Sequence, residues 1–205
     1  MLDHTGFDLW ADGYDLSVGL SDESNKYPFA GYKAVLGGIF RTIAEKPNPT
    51  VLDLGFGTGI LTAKLYGNGC KVYGQDFSAR MIELASRKMP GAHLYQGDFS
   101  KGLAAPLLQR KYDFIVSTYA LHHLTDEQKV PFLAQLRKLL YPGGRILIGD
   151  VAFRNRSELE ACRERAGEEW DDEEFYFVFD EWESMFPGIS FEPKSDCAGI
   201  LTITC

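Results

Sequence analysis

The sequence lacks long apolar runs, an N-terminal leader pattern and an excess of positive charge. No segment approaches the roughly 20 apolar residues that cross a bilayer, and the first residues carry acids where a signal peptide has Lys or Arg. Lys and Arg number 21 against 29 Asp and Glu, a formal net charge of -8. This charge has the wrong sign for holding phosphate backbones or anionic lipid. We therefore expect a cytoplasmic protein that binds neither nucleic acid nor membrane.

Paired cysteines are missing as well. Cys70, Cys162, Cys197 and Cys205 form no C-x-x-C pair and have no histidine at zinc spacing, so neither a disulfide framework nor a metal site is predicted. With 205 residues, 45% hydrophobic and 24% charged, the chain has the composition of an ordinary soluble domain. We predict one domain, in which residues 1–46 form an N-terminal helical extension or lid and residues 47–205 form the core.

Short β-branched runs alternate with helix-length segments from Val51 onward, which predicts βαβ units, a mainly parallel sheet and an α/β fold. Thr125 and Gln128 form a capping box before a helical stripe that reaches Leu140, and Pro142-Gly143-Gly144 ends that segment. Another helix is predicted to start at Pro28. The predicted strands are Val51–Leu54, Lys71–Gln75, His93–Gln96, Phe114–Ser117, Arg145–Asp150, Ile189–Glu192 and Ile200–Thr204.

A glycine-rich turn follows the first predicted strand, where Gly55, Gly57 and Gly59 alternate with other residues before a helical pattern. Glycine tolerates positive φ and has no Cβ, so a ligand can lie directly against such a turn, facing the N–H groups of the next helix. Open α/β folds bind ligands at this carboxyl edge of the sheet. The pattern predicts a ligand site, and a purely structural turn is the alternative.

Acidic residues stand at successive predicted strand ends. Asp76 ends the second strand, where a carboxylate can accept two hydrogen bonds from a ribose diol. Asp98 ends the third strand and can accept the adenine amino proton, while Phe99 covers the ring. Asp53, two residues before Gly55, can order the turn or a water beside an ammonium group. Singly each acid is typical of a solvated loop or a cap, but together they indicate a cationic adenosine ligand.

A dinucleotide site uses the same topology but needs G-x-G-x-x-G. Read from Gly55 the sixth position is Ile60, and read from Gly57 it is Thr62, so the motif fails in both registers. An NAD(P)-dependent oxidoreductase is therefore the weaker alternative. A cofactor-binding module without chemistry is the other alternative.

At these residues the sequence resembles the class I S-adenosylmethionine-dependent methyltransferases. The similarity covers residues 7–150 well and residues 151–205 only by pattern. The acid followed by x-G-x-G-x-G, the G-x-D-x-S setting and the later G-D pair are carried by Asp53, Gly55, Gly57, Gly59, Gly74, Asp76, Ser78, Gly97 and Asp98. Segments 113–124 and 140–144 are similar to the family's fourth strand with its following loop and to the turn before its fifth strand.

The resemblance implies a doubly wound, Rossmann-like, mostly parallel seven-stranded sheet with a C-terminal antiparallel hairpin. It also implies S-adenosyl-L-methionine as cofactor, S-adenosyl-L-homocysteine as product and a small-molecule methyl acceptor as partner. The leading segment with Trp10 and Tyr14 would fold over the methionine end of the cofactor, or else dock an N-terminal helix. The implied cofactor contacts are Tyr14, Asp53, Gly55, Phe56, Gly57, Gly59, Asp76, Phe77, Met81, Asp98, Phe99 and Ser117.

Methyl transfer from a sulfonium is an in-line displacement in which the protein mostly positions the reactants. A proton acceptor is needed only for a hydroxyl, a carbon acid or a protonated amine. His122 and His123 follow the fourth predicted strand, and with a usual pKa of about 6.5 either can take a proton, although such a pair is often only packed or capping. His122 and Tyr119 are the predicted catalytic residues.

Residues 168–177 mix acids with aromatic residues. In the resembled fold this segment lies over the substrate side, so it could select a cationic or amphiphilic acceptor. A solvated helix face is the alternative for such a charge run.

Overall fold

One mixed sheet runs through the structure, a computed structural model that describes residues 26–205. The strands are β1 Thr50–Leu54, β2 Lys71–Asp76, β3 His93–Gln96, β4 Tyr112–Thr118, β5 Leu140–Phe153, β6 Phe177–Val178, β7 Ser190–Pro193 and β8 Ala198–Thr204. Their order is β3-β2-β1-β4-β5-β8-β7, and β6 pairs separately with the end of β5. Strand β8 runs antiparallel to β5 and β7, whereas the other pairs are parallel.

Helices cover both faces of this sheet. They are α1 Tyr32–Ala44, α2 Ile60–Gly67, α3 Ala79–Lys88, α4 Ala105–Leu108, α5 Asp126–Lys138, α6 Arg156–Ala166 and α7 Phe179–Glu183. Because neighbouring strand residues point to opposite faces, Val51 joins the apolar cluster under α1, α2 and α3, while Leu52 joins the cluster under α5 and α7. Within residues 26–205, no helix combines the length and apolar character needed to cross a membrane.

The α/β fold, the doubly wound parallel sheet and the C-terminal antiparallel hairpin are confirmed. All seven predicted strands are present, His93–Gln96 with the predicted bounds and the other six with shifted ends, and the capping box of Thr125 and Gln128 starts α5. The two-residue strand β6 was not predicted. It pairs Phe177 with Ala152 and Val178 with Phe153, which extends β5 beyond its predicted end.

Two predicted helix boundaries are wrong. Helix α5 ends at Lys138, and Leu140 already pairs with Tyr112 as the first residue of β5. The register then shifts, so residues 141–144 bulge outward, and a bulge tolerates a proline that lacks an N–H donor. Helix α1 begins at Tyr32 rather than Pro28, because Gly31 has φ 75°, which interrupts the helical backbone.

Close packing of α1 on β5 depends on Gly149. A Cβ at this position would lie 2.4 Å from Val35 Cγ1 and 2.9 Å from Ile39 Cδ1. We expect Gly149→Ala to lower the free energy of unfolding by about 1–3 kcal/mol, the usual effect of overpacking, in urea denaturation. Gly67→Ala is the matched control, since no described atom lies within 4 Å of its Cβ position. Equal stability of the two variants would contradict this packing.

Candidate functional site

The glycine turn between β1 and α2 has the conformation that its sequence predicts. Gly55, Gly57 and Gly59 have φ values of 71°, 54° and 80°, the left-handed region that favours glycine. A Cβ on Gly55 would lie 2.5 Å from the Cβ of Ala120, whereas no described atom lies within 4 Å of a Cβ position on Gly57. Packing therefore requires glycine at Gly55, while the outer face of Gly57 is open to a ligand.

Asp76 connects this turn to the end of β2. Its Oδ2 accepts a hydrogen bond from the Gly57 N–H at 2.8 Å, and its Oδ1 accepts one from the Ser78 N–H at 3.0 Å. Ser78 in turn caps α3, since its Oγ accepts from the Met81 N–H. Each carboxylate oxygen can accept a second hydrogen bond. The buried Asp76 thus orders the turn and places a carboxylate, which is a hydrogen-bond acceptor, beside it.

The pocket above the turn lies between α1, the glycines and the end of β4. Its lining is partly apolar and partly backbone, which suits a ligand that contacts main-chain groups directly. The lining residues are Tyr32, Leu36, Gly55, Phe56, Gly57, Thr58, Ile60, Leu61 and Thr118.

Asp53 is a buried acid beneath the turn. The Thr62 hydroxyl donates to its Oδ2 at 2.6 Å, while its Oδ1 accepts no hydrogen bond from any residue between 26 and 205. Burial raises the pKa of Asp53 to about 7, the Thr62 hydrogen bond opposes this rise, and the charge of Asp76 adds to it. A buried carboxylate oxygen without a hydrogen bond lowers the stability of the folded protein. Asp53 Oδ1 is therefore suited to accept a hydrogen bond from a cationic ligand.

Asp98, which follows β3, has hydrogen-bond and ion-pair partners within the next three residues. Asp98 Oδ1 accepts hydrogen bonds from the Ser100 N–H and hydroxyl, and Oδ2 lies 3.1 Å from Lys101 Nζ. Burial of Asp98 would raise its pKa, but the hydrogen bonds from Ser100 and Lys101 outweigh it and lower the pKa. Phe99 stacks on Phe132 and reaches toward Gly55, so its ring lies beside the turn.

The other predicted cofactor residues take mainly structural positions. The Phe56 ring packs under Gly74, the Ser117 hydroxyl donates to Leu54 O at 2.9 Å, and Met81 is buried at the start of α3. The carbonyl of Phe77 accepts from Gln96 Nε2. Trp10 and Tyr14 lie outside the described residues, whereas the later part of the predicted extension, residues 26–46, is described and contains α1.

Tyr119 and His122 follow β4, in the segment whose Ala120 packs against Gly55. Tyr119 has φ 50°, and its ring packs against Phe29 and Tyr32 with centroids 5.3 and 5.2 Å away. His122 Nδ1 lies 2.6 Å from Asp150 Oδ1, and its Nε2 lies 3.5 Å from Glu174 Oε1. The structure therefore brings the predicted histidine to two carboxylates that the sequence analysis did not assign to it.

The two adjacent histidines have pKa values shifted in opposite directions. Burial disfavours the charged form of His122, but the charge and hydrogen bond of Asp150 outweigh it and raise its pKa. Burial, together with repulsion from His122, lowers the pKa of His123 to about 4. The pKa of His122 is therefore above its usual value, whereas His123, with a pKa of about 4, is a neutral imidazole at pH 7.

The chain is similar to known methyltransferases. Residues 51–144 match the methyltransferase domain family. An uncharacterized methyltransferase of Geobacillus kaustophilus (strain HTA426) is 41% identical over 188 residues, which cover 88% of this chain and 84% of the relative.

Solved structures share the fold. DhpI in complex with S-adenosylhomocysteine (SAH) superposes with a TM-score of 0.70 at 20% identity, covering 97% of this chain and 93% of that chain. Magnesium protoporphyrin IX methyltransferase from Synechocystis PCC 6803, also with bound SAH, has a TM-score of 0.66 at 19% identity, covering 85% and 83%.

The chain belongs to the class I S-adenosylmethionine-dependent methyltransferases. This membership confirms the predicted family, enzyme class and cofactor. It also decides against the oxidoreductase and against a binding module without chemistry.

The buried state of Asp53 predicts a specific pH dependence of stability. Its folded pKa of about 7 lies above the ordinary value of about 3.9. Between these values the folded state keeps a proton that the unfolded state has lost, so stability falls as pH rises from about 4 to 7, by at most about 1.4 kcal/mol per pH unit. We expect the stability of the wild type relative to Asp53→Asn to decline over this range in urea denaturation.

The exposed Asp172→Asn is the control for the removal of one carboxylate, since its side chain is 72% exposed. The same pH profile relative to both variants would contradict a protonated, buried Asp53.

Proposed function

We propose that the protein transfers a methyl group from S-adenosylmethionine to a small-molecule acceptor by in-line displacement. The observation that carries the proposal is the glycine turn, whose backbone Asp76 orders and beneath which Asp53 is buried. Tyr119 and His122 follow the neighbouring strand β4, and we assign them to the acceptor. The bound cofactor supplies an activated methyl group and a good leaving group. Correct placement in a water-poor pocket can then lower the barrier by roughly 7–11 kcal/mol at most.

The turn and its acids would hold the donor. Asp76 would accept hydrogen bonds from the ribose hydroxyls through its carboxylate, and Asp53 Oδ1 would receive the ammonium group directly or through a water. Asp98 and Phe99 would bind the adenine. The remaining proposed contacts, through backbone or by closing the pocket, are Tyr14, Gly55, Phe56, Gly57, Gly59, Phe77, Met81 and Ser117.

Tyr119 and His122 are the proposed catalytic residues, because they would contact the acceptor. The Tyr119 ring, packed between Phe29 and Tyr32, provides an apolar wall that excludes water. Asp150 fixes the orientation of the His122 ring through Nδ1. His122 can therefore present Nε2 in a single direction.

Two observations support a small molecule as acceptor. The net charge of -8 disfavours a nucleic acid. Among proteins of the same fold, one is named for a small-molecule substrate, magnesium protoporphyrin IX.

Cofactor binding tests the role of Asp76. A hydrogen bond to a charged group contributes about 1.5–3 kcal/mol, so Asp76→Ala should raise the dissociation constant of SAH about tenfold or more in calorimetry. Asp76→Asn retains the side-chain volume and is the second variant, because Asp76 also orders the turn. Asp172→Ala is the surface control. Unchanged affinity in folded Asp76 variants would exclude this role.

Methyl transfer from S-adenosylmethionine with an isotopically labelled methyl group tests the acceptor class. After incubation with a cell extract, we expect label in the small-molecule fraction. We expect less of it with His122→Gln, which removes the imidazole, or with Tyr119→Ala, which removes the ring that excludes water, at unchanged SAH affinity. Heat-inactivated protein is the control. Label confined to protein or nucleic acid would contradict a small-molecule acceptor, and equal labelling by all variants would remove both catalytic assignments.

A further inference from the structure

Three potential ligand atoms converge beside β5. His122 Nε2 lies 3.5 Å and His123 Nδ1 lies 3.9 Å from Glu174 Oε1, and all three atoms lie within 4.8 Å of one another. His122 is buried, while His123 and Glu174 are partly buried. Two imidazole nitrogens and one carboxylate oxygen form a ligand set that divalent transition metals prefer.

Side chains behind these ligands hold them in orientation. Asp150 Oδ1 contacts His122 Nδ1 at 2.6 Å, which leaves Nε2 for a ligand. The Tyr176 hydroxyl donates to Glu174 Oε2 at 2.7 Å and also contacts the Tyr27 hydroxyl, which turns Oε1 toward the histidines. Carboxylate and hydrogen-bond partners of this kind orient the ligands in protein metal sites.

The backbone also fixes the distance between the two ligand-bearing segments. The Phe175 N–H donates to the carbonyl of His122 at 2.8 Å, directly beside Glu174. The Phe175 carbonyl contacts the ammonium group of Lys129, which also bonds Asp126 at 2.9 Å. Because strand β6 begins two residues later and pairs with β5, the segment cannot move freely from the histidines.

Charge favours a cation at this position. Asp150 and Glu174 bring two carboxylates to the histidine pair, and Asp150 Oδ2 has no hydrogen-bond partner within the described part of the chain. The ammonium group of Lys129 is engaged by Asp126 and the Phe175 carbonyl. A proton on His122 Nε2 can also supply positive charge here, so an ion pair without metal is the competing account.

We propose that His122 Nε2, His123 Nδ1 and Glu174 Oε1 form a binding site for a divalent transition-metal ion of the zinc type. Zinc bonds of about 2.0–2.2 Å in a tetrahedron place ligand atoms about 3.4 Å apart, so only a small closing movement is needed. Three protein ligands leave a coordination position for water or an oxygen atom of the acceptor, where the ion would act as a Lewis acid.

Direct metal binding tests this site without any methyl transfer. Protein freed of metal with a chelator and dialysed is titrated with Zn²⁺ and Co²⁺ in calorimetry, and with Mg²⁺ for comparison. We expect one equivalent of Zn²⁺ or Co²⁺ to bind and Mg²⁺ to bind far more weakly, because Mg²⁺ prefers oxygen ligands. Glu174→Gln and His123→Gln should each weaken Zn²⁺ binding at least tenfold.

Controls separate this site from other ligands. Glu168→Gln removes an exposed carboxylate from the same region and should leave the affinity unchanged. All proteins carry Cys205→Ser, since Cys205 is the exposed cysteine of the described chain, and the Co²⁺ complex should show no thiolate charge-transfer absorption. Thermal unfolding confirms that each variant is folded.

The outcomes distinguish this site from the proposed function. Absence of stoichiometric binding, or equal affinity in Glu174→Gln, His123→Gln and Glu168→Gln, would show an ion-paired cluster that holds only a proton and would overturn the proposal. SAH affinity, measured on the same proteins, should be unchanged in all three variants. Failure of SAH to bind the wild type would contradict the proposed function and leave the metal result standing.

Discussion

The hydrogen bonds of the Asp76 carboxylate hold together the two backbone segments that form the proposed cofactor site. One oxygen accepts from the Gly57 N–H in the turn after β1, and the other accepts from the Ser78 N–H before α3. Two backbone segments from different βα units are thereby joined through one buried side chain. Gly57 also has positive φ, and no described atom lies within 4 Å of its Cβ position. The contact that orders the turn therefore leaves this side of Gly57 uncovered by residues 26–205.

Features that arise from local chemistry could be predicted from the sequence. The alternation of short β-branched runs with helix-length segments predicts all seven of these strands. The spacing of Gly55, Gly57 and Gly59 predicts the turn, because positive φ is a local requirement on each residue. The capping box at Thr125 is equally local, since its two hydrogen bonds join residues three apart. Family resemblance then supplied the hairpin, whose reversed strand no periodicity can reveal.

Features that depend on tertiary contact could not be predicted in the same way. Leu140 fits the helical stripe of α5, but pairing with Tyr112 draws it into β5. Glu174 lies far along the chain from His122, and tertiary contacts bring it there, among them the pairing of β6 with β5 and the hydrogen bond from Phe175 to the His122 carbonyl. In the sequence, the segment around Glu174 is distinguished only by its acidic and aromatic residues, and this composition does not identify His122 as the partner of Glu174.

The acids near the carboxyl ends of the parallel strands share a position in the sequence pattern, but they differ in burial and in hydrogen-bond partners. Asp76 has two backbone donors, whereas the half-exposed Asp98 is occupied by a local cap and by Lys101. Asp53 has one donor and full burial, so its pKa rises to about 7. Asp150 in β5 was not singled out, although it occupies a comparable position, and it orients His122. Strand position therefore identifies which acids can serve the site, while burial and the number of donors decide what each one does.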